Sequence, residues 1–391
     1  MTGPVGAHAP GRPARIGLVV NPVAGLGGPV GLGGSDGTER QRRARALGAV
    51  ARAGERATTA LAELAARGVR PEVLTGAGAM GERSALAAGL GTRSVYGAEG
   101  DTTPEDTVAT VRALAARGVD LLLFAGGDGT ARDVLAGLDG APCPVLGVPT
   151  GVKMHSAVFA VNPRAAGEVA AAWLGGAGRR ARLREAEVMD RDEAELRAGR
   201  LRSRLYGWLA VPDVPVRVQQ RKTGSTAQAP EAVGGIAAEV AARIGERGRL
   251  VVGPGTTTRA VAAALGADVP LAGVNVLDVR GGSARPYATD VAESDLACLA
   301  GEPGAPLWLA VSPIGGQGFL LGRGNQQISP RVLRATGRER FLVLSTEAKL
   351  AALGGRPLLV DTGDEALDAE LAGHTRVITG RSRSAVYRVA H

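Results

Sequence analysis

Residues 119–138 read VDLLLFAGGDGTARDVLAGL. The apolar run at 119–124 ends in Gly126-Gly127-Asp128-Gly129-Thr130, after which Val134, Leu135 and Leu138 recur at helical spacing. This pattern predicts a buried strand that turns through glycines into a helix. Such a turn gathers backbone N–H groups and the positive helix end around one small volume. Without a Cβ in the way, a phosphate can approach that backbone closely. An acid among those donors would repel a phosphate unless it serves a proton or a metal. Asp128 therefore reads as a catalytic base or magnesium organiser beside a nucleotide polyphosphate. The competing reading is a plain βα turn in which Asp128 caps the next helix.

The flanking sequence repeats the strand-then-helix theme. Strands are expected at 16–20, 73–74, 119–124 and 144–148, with helical patterns through Ala60, Leu61 and Leu64 and through Val108, Val111 and Leu114. Thr103-Pro104-Glu105-Asp106 has the threonine, proline and early acids of a helix start. Alternating strands and helices imply an α/β fold with a doubly wound parallel sheet. A glycine-rich stretch, Gly175-Gly176-Ala177-Gly178, suggests a boundary, after which β-type runs at 183–188, 206–211 and 214–218 open a second, β-rich α/β domain. The expected division is a disordered start at 1–14, a first domain at 15–165, a second at 180–335 and a C-terminal α/β segment at 336–391. The pattern leaves open whether that last segment packs back on the first domain.

Several motifs resemble one enzyme superfamily. Gly126-Gly127-Asp128-Gly129-Thr130 is similar to the motif shared by NAD kinases, diacylglycerol and sphingosine kinases and 6-phosphofructokinases. The stretch Val20-Asn21-Pro22-Val23-Ala24-Gly25-Leu26-Gly27-Gly28 and the later Val30-Gly31-Leu32-Gly33-Gly34-Ser35-Asp36-Gly37 resemble the amino-terminal signature of one branch. Gly151-Val152-Lys153-Met154-His155-Ser156 and Pro313-Ile314-Gly315-Gly316-Gln317-Gly318-Phe319 match the same branch, the ATP-NAD kinase-like family with its acetoin-catabolism relatives. The resemblance runs from about residue 15 to the end of the chain. It implies an NAD kinase/diacylglycerol kinase-like first domain and phosphoryl transfer from ATP or polyphosphate, with Mg2+, to a hydroxyl of NAD or a related nucleotide. A nucleotide-binding regulatory protein of the same fold, without turnover, is the alternative.

Candidate site residues follow from the loops. In a parallel sheet, ligands bind beyond the carboxyl ends of the strands. Asp128 is the expected catalytic residue. Asn21, Gly33, Ser35 and Asp36 of the first loop, Gly126, Gly127, Gly129 and Thr130 of the second, and Gly151, Lys153 and His155 of the third are expected to bind phosphate or nucleotide. The first loop is no Walker A motif, since Gly34 stands where the lysine belongs. Lys153 would neutralise charge on a transferring phosphoryl group, and His155 would bind a phosphate or ribose hydroxyl. Gly253-Pro254-Gly255-Thr256-Thr257-Thr258 offers a further strand-to-helix turn, at which Thr256 and Thr257 suit phosphate and threonine capping equally. Arg323 and Asn325 carry donors suited to phosphate and base edges. No protein metal-ligand set is legible.

Three departures bear on substrate. The Asn-Glu pair of ordinary NAD kinases is absent, and Gln228 stands where an aromatic would follow Thr223-Gly224-Ser225-Thr226-Ala227. The third loop lacks the Gly-Thr-x-Asn-Asp pattern of lipid kinases, which argues against a lipid acceptor. Gly76-Ala77-Gly78-Ala79-Met80-Gly81 satisfies G-x-G-x-x-G after a strand, a weak signal for a dinucleotide fold in so glycine-rich a chain.

Composition sets the outer bounds. At 391 residues, with 45% hydrophobic and 21% charged, the chain is long enough for two globular domains. The formal charge is +8, yet aromatics are only 3%, so basic stretches such as 40–45 lack stacking partners and nucleic acid is not expected. An anionic nucleotide would be drawn to the same field. No apolar run approaches the ~18 residues of a membrane span. Cys143 and Cys298 form neither a disulfide framework nor a metal spacing. A cytoplasmic homo-oligomer, with no membrane partner, is expected.

Overall fold

The computed structural model describes residues 12–32, 37–98, 101–151, 154–175, 182–191, 203–213, 230–314 and 318–391. The chain forms two compact units, one of Met1–Gly25 and Val50–Arg221, the other of Leu26–Ala49 and Lys222–His391.

The first unit is built on β1 (Arg15–Val20), β2 (Glu72–Gly76), β3 (Thr92–Tyr96), β4 (Leu121–Gly126) and β5 (Val145–Pro149). They lie in the order β3-β2-β1-β4-β5, and every pair is parallel. β4 and β5 are buried along their whole length. A strand covered on both faces must be apolar throughout, which is why LLLFAG carries no alternation. Helices Ala53–Ala66 and Pro163–Leu174 pack together, burying Ala57, Ala60, Leu61 and Leu64 of one and Ala166, Val169 and Ala170 of the other. The expected helix start at Thr103 is formed, since the Asp106 carboxylate accepts from the Thr103 N–H at 2.7 Å, and a second helix is capped by Asn162, whose Oδ1 accepts from the Ala165 N–H at 2.7 Å. Strand order reverses between β1 and β4, so the loops leaving these two strands diverge above one crevice.

The hairpin of β6 (Leu183–Arg191) and β7 (Ser203–Pro212) belongs to this first unit, not to a second domain beginning at 180. Ala157 donates to the Glu187 carbonyl at 2.9 Å, and Arg184 donates to the Ala157 carbonyl at 2.8 Å. Those bonds tie the hairpin to the chain that follows β5.

The second unit carries a mixed sheet of β8 (Arg247–Val252), β9 (Asn275–Arg280), β10 (Ser283–Ala288), β11 (Leu307–Val311), β12 (Phe341–Leu344), β13 (Leu358–Leu359), β14 (Gly373–Gly380) and β15 (Arg383–Ala390). Its order is β10-β9-β8-β11-β12-β14-β15-β13. Alternation sets one apolar cluster on each face. Leu250, Val252, Leu277 and Leu342 point one way, while Val251, Val276, Leu309 and Val343 point the other. The C-terminal segment belongs to this sheet. Parallel pairing of β11 with β12 and of β12 with β14 makes it part of this one.

No helix among the described residues is long and apolar enough to cross a membrane. The run at 214–218 and the Thr223-Gly224-Ser225-Thr226-Ala227 segment lie outside the described residues.

Candidate active site

Three strand exits meet in the first unit. The loop after β1 bends at Gly25, with φ of +79°, and a Cβ there would stand 2.1 Å from the Thr150 carbonyl oxygen. Gly127 and Gly151 face one another across the exits of β4 and β5. A Cβ on Gly151 would come within 3.0 Å of the Gly127 Cα. Thr150 donates its N–H to the Gly126 carbonyl at 3.0 Å, which continues the β4–β5 pairing past the strand ends. The loops thus approach as bare backbone, the arrangement that leaves N–H groups accessible to a phosphate.

Helix Asp128–Leu138 begins at this junction, with Gly127 as its N-cap. Asn21 and Thr130, both expected to bind ligand, are instead joined to each other. Asn21 Nδ2 donates to Thr130 Oγ1 at 3.0 Å, and Asn21 Oδ1 accepts from the Val23 N–H at 3.2 Å. Their side chains brace the loop, because each finds its partner within the protein. Gly127 and Gly129, on either side of Asp128, keep partial exposure.

Asp128 is buried, and its carboxylate has three close neighbours. Oδ1 accepts from the Ser156 N–H at 3.0 Å. Oδ2 accepts from the His155 N–H at 2.7 Å and lies 3.1 Å from His155 Nδ1. The segment carrying these donors is itself fixed, since the Ser156 hydroxyl donates to the Met189 carbonyl at 2.8 Å and accepts from the Met189 N–H at 3.0 Å. Asp128 is therefore held among backbone donors of the segment that follows β5. It is an acceptor that holds His155 in place. The Thr150 hydroxyl, which sequence reading passed over, is buried with no hydrogen-bond partner among the described residues.

Among the described residues, no group of three or more His, Cys, Asp and Glu side chains could hold a metal ion.

The remaining candidates divide sharply. Gly33, Ser35, Asp36 and Lys153 lie outside the described residues. The described part of the first loop beyond Gly25 belongs to the second unit, where the Pro29 carbonyl accepts from the Glu293 N–H at 3.0 Å. In the second unit, Arg323 is not an open fork for phosphate: it is buried and donates to Asp361 Oδ2 at 2.8 Å, with its guanidinium 4.5 Å from the Phe319 ring centroid. Asn325 is equally committed, accepting from the Gly322 N–H at 3.0 Å and donating to the Leu320 carbonyl at 2.7 Å. Thr256 opens helix Thr256–Ala264 in an exposed position. Thr257 is buried and accepts from Lys349 Nζ at 3.3 Å, while Lys349 also donates to Ser312 Oγ at 2.9 Å. Lys349 was not singled out from sequence; its only signal was that the chain has so few lysines.

Residues 16–177 match the model of the ATP-NAD kinase N-terminal domain, and residues 246–389 match that of the ATP-NAD kinase C-terminal domain. The chain belongs to the NAD kinase-like family. No curated protein and no solved structure gives a match to it. The N-terminal match spans β1 to β5 and the whole Asp128–His155 arrangement, so the kinase assignment falls on the unit that holds these residues.

Proposed function

We propose that this NAD kinase-like protein transfers a phosphoryl group from ATP or polyphosphate to a hydroxyl of NAD or a closely related nucleotide. The observation that carries the reading is the Gly126–Thr130 turn at the carboxyl end of β4, within the match to the kinase N-terminal domain. Bare glycine loops and a helix N-terminus suit the phosphates, and the Asp128–His155 pair supplies a proton acceptor beside them. Phosphoryl transfer asks mainly for positioning and charge stabilisation, which such a site can provide. Mg2+ belongs in this reading to the donor, bound largely by its phosphates and water, as is usual for this ion.

The deciding experiment is a steady-state assay of NADP formation from NAD, run with ATP and separately with polyphosphate, in the presence of Mg2+. Turnover with one donor supports the reading and names the donor. Tight nucleotide binding without turnover on any nucleotide acceptor would replace it with a binding module.

A further inference from the structure

We propose that the second unit carries a phosphate-chain site of its own, on the β8–β9–β10 part of its sheet, fitted to a nucleoside polyphosphate or an inorganic polyphosphate. It is separate from the Asp128 turn, which belongs to the first unit.

Strand register builds the site. Arg247 and Arg249 lie two apart on β8, as do Asp278 and Arg280 on β9, so each pair leaves one face of its strand. Arg247 stands directly opposite Arg280, and Arg249 opposite Asp278, while Arg285 of β10 meets Asp278 from the other side. Farther along the same face lie Val251 and Val276, both part of a buried cluster. The face thus changes from apolar to basic within three strands. Its basic end lines a groove of about 350 Å³ together with Tyr287, within the range of roughly 300–1,000 Å³ usual for small-molecule sites.

The protein does not balance the charges there. Arg280 and Arg285 donate to one and the same oxygen, Asp278 Oδ2, at 3.1 and 3.2 Å. Arg249 is paired with Glu302. Arg247 is exposed and makes no hydrogen bond or ion pair among the described residues. Four guanidinium groups therefore meet two carboxylates. Like charges directly opposite one another on paired strands are destabilising, and Arg247 faces Arg280 in that way. An anion bridging the pair offsets that cost.

Spacing chooses among anions. Neighbouring strands lie about 4.8 Å apart and alternate residues about 6.6 Å apart, so the arginines spring from an area of roughly 10 by 7 Å. That is too wide for a single phosphate or sulfate. It suits several phosphates in a row, each met by a planar guanidinium fork. The Arg249 guanidinium lies 4.5 Å from the Tyr287 ring centroid, and the ring is half exposed. One ring offers a place for one base, not the run of aromatics on which a nucleic-acid strand stacks.

Hydrogen exchange of the full-length protein tests the site, with inorganic tripolyphosphate as the probe. Tripolyphosphate should slow exchange of the backbone amides in residues 275–288, and orthophosphate or sulfate at equal ionic strength should not. Arg247→Gln combined with Arg280→Gln should abolish that protection and weaken the binding it reports by about tenfold or more. Without anion, the same double variant should melt at or above the wild-type temperature, because the opposed charges are gone. A merely structural pair would melt lower. Arg42→Gln with Arg45→Gln, on the exposed part of the helix at 38–46, makes the same change in net charge and should leave the protection intact. Comparison with ATP names the source of the phosphates: tighter binding of ATP places its base on Tyr287, and equal binding means that the phosphates alone are held. Absence of protection in the wild type, or protection that survives in the Arg247/Arg280 double variant, would overturn the proposal. Equal protection by orthophosphate would leave an adventitious ion only. Protection by single-stranded DNA and not by tripolyphosphate would make this face a nucleic-acid surface instead. None of these outcomes depends on NADP formation, so failure of the phosphotransfer reading leaves this site standing, and the reverse.

Discussion

Cys143 shows how strongly position governs the chemistry of a single residue. Burial pushes its thiol up to about 12, whereas Cys298 is exposed. A thiol-specific reagent at neutral pH should therefore modify Cys298 in the folded protein and reach Cys143 only on unfolding. Fast modification of Cys143 in the native state would contradict its packing. The same burial links stability to pH. The unfolded thiol ionises near its ordinary value of 9.0 while the folded one resists to about 12, so this contribution is present below 9 and is lost as pH rises through that window. Cys143→Ala should flatten the alkaline fall in a series of denaturant midpoints. Residue by residue, the site was only partly legible in sequence. Asp128 stood out because strand, glycines and helix flank it within a few positions. Its pairing with His155, 27 residues away, follows from two strand exits meeting and has no local signature. Arg323 misled for the same reason, since nothing near it in sequence announces Asp361, 38 residues on.

At the scale of elements, the chain after β5 returns along that strand and carries the site with it. Gly147 donates to the Val158 carbonyl and accepts from the Ala160 N–H, both at 2.9 Å. This pairing lays the Phe159 ring over Gly147, so an added Cβ would sit 2.3 Å from a ring carbon. Phe159 cannot swing aside freely, because Phe124 meets it edge-on with centroids 5.2 Å apart. Gly147→Ala should cost about 1–3 kcal/mol through overpacking, and should lower turnover more than a surface substitution of equal stability, since residues 155 and 156 hang from the displaced segment. A melting temperature equal to wild type would mean that the segment yields without strain. In the second unit, Asp361→Ala should cost about 3–5 kcal/mol by leaving the Arg323 guanidinium buried without its carboxylate; a loss of less than about 1 kcal/mol in chemical denaturation would refute this. Elements with continuous apolar runs, such as β1, β4 and β5, could be read from sequence. β3 could not, because an edge strand reading TRSVY is only half covered and lacks a buried face. β15 escaped notice similarly: RSAVYRVA alternates partly exposed positions and gains its place through pairing with β14.

For the whole molecule, the class of fold was evident in the repeated βα pattern, but the assignment of segments to units was not. Residues 26–49 follow β1 directly and yet belong to the second unit, while the hairpin β6–β7 stays with the first. Periodicity records which face of an element is buried and says nothing of which core buries it. Charge is the one property that sequence gives for the entire chain. With 46 basic and 38 acidic residues, the formal charge of +8 creates a field that would attract the anionic donor proposed above. That attraction acts over distance and is screened beyond about 10 Å at 0.1 M salt. The backbone contacts proposed at the glycine loops act at short range and are much less sensitive. Raising NaCl should therefore increase KM for the anionic donor while leaving kcat nearly constant, and an uncharged osmolyte at equal osmolarity should change neither parameter. If KM for the donor stays flat between low salt and about three times physiological ionic strength, the positive balance plays no part in binding and only the local site does.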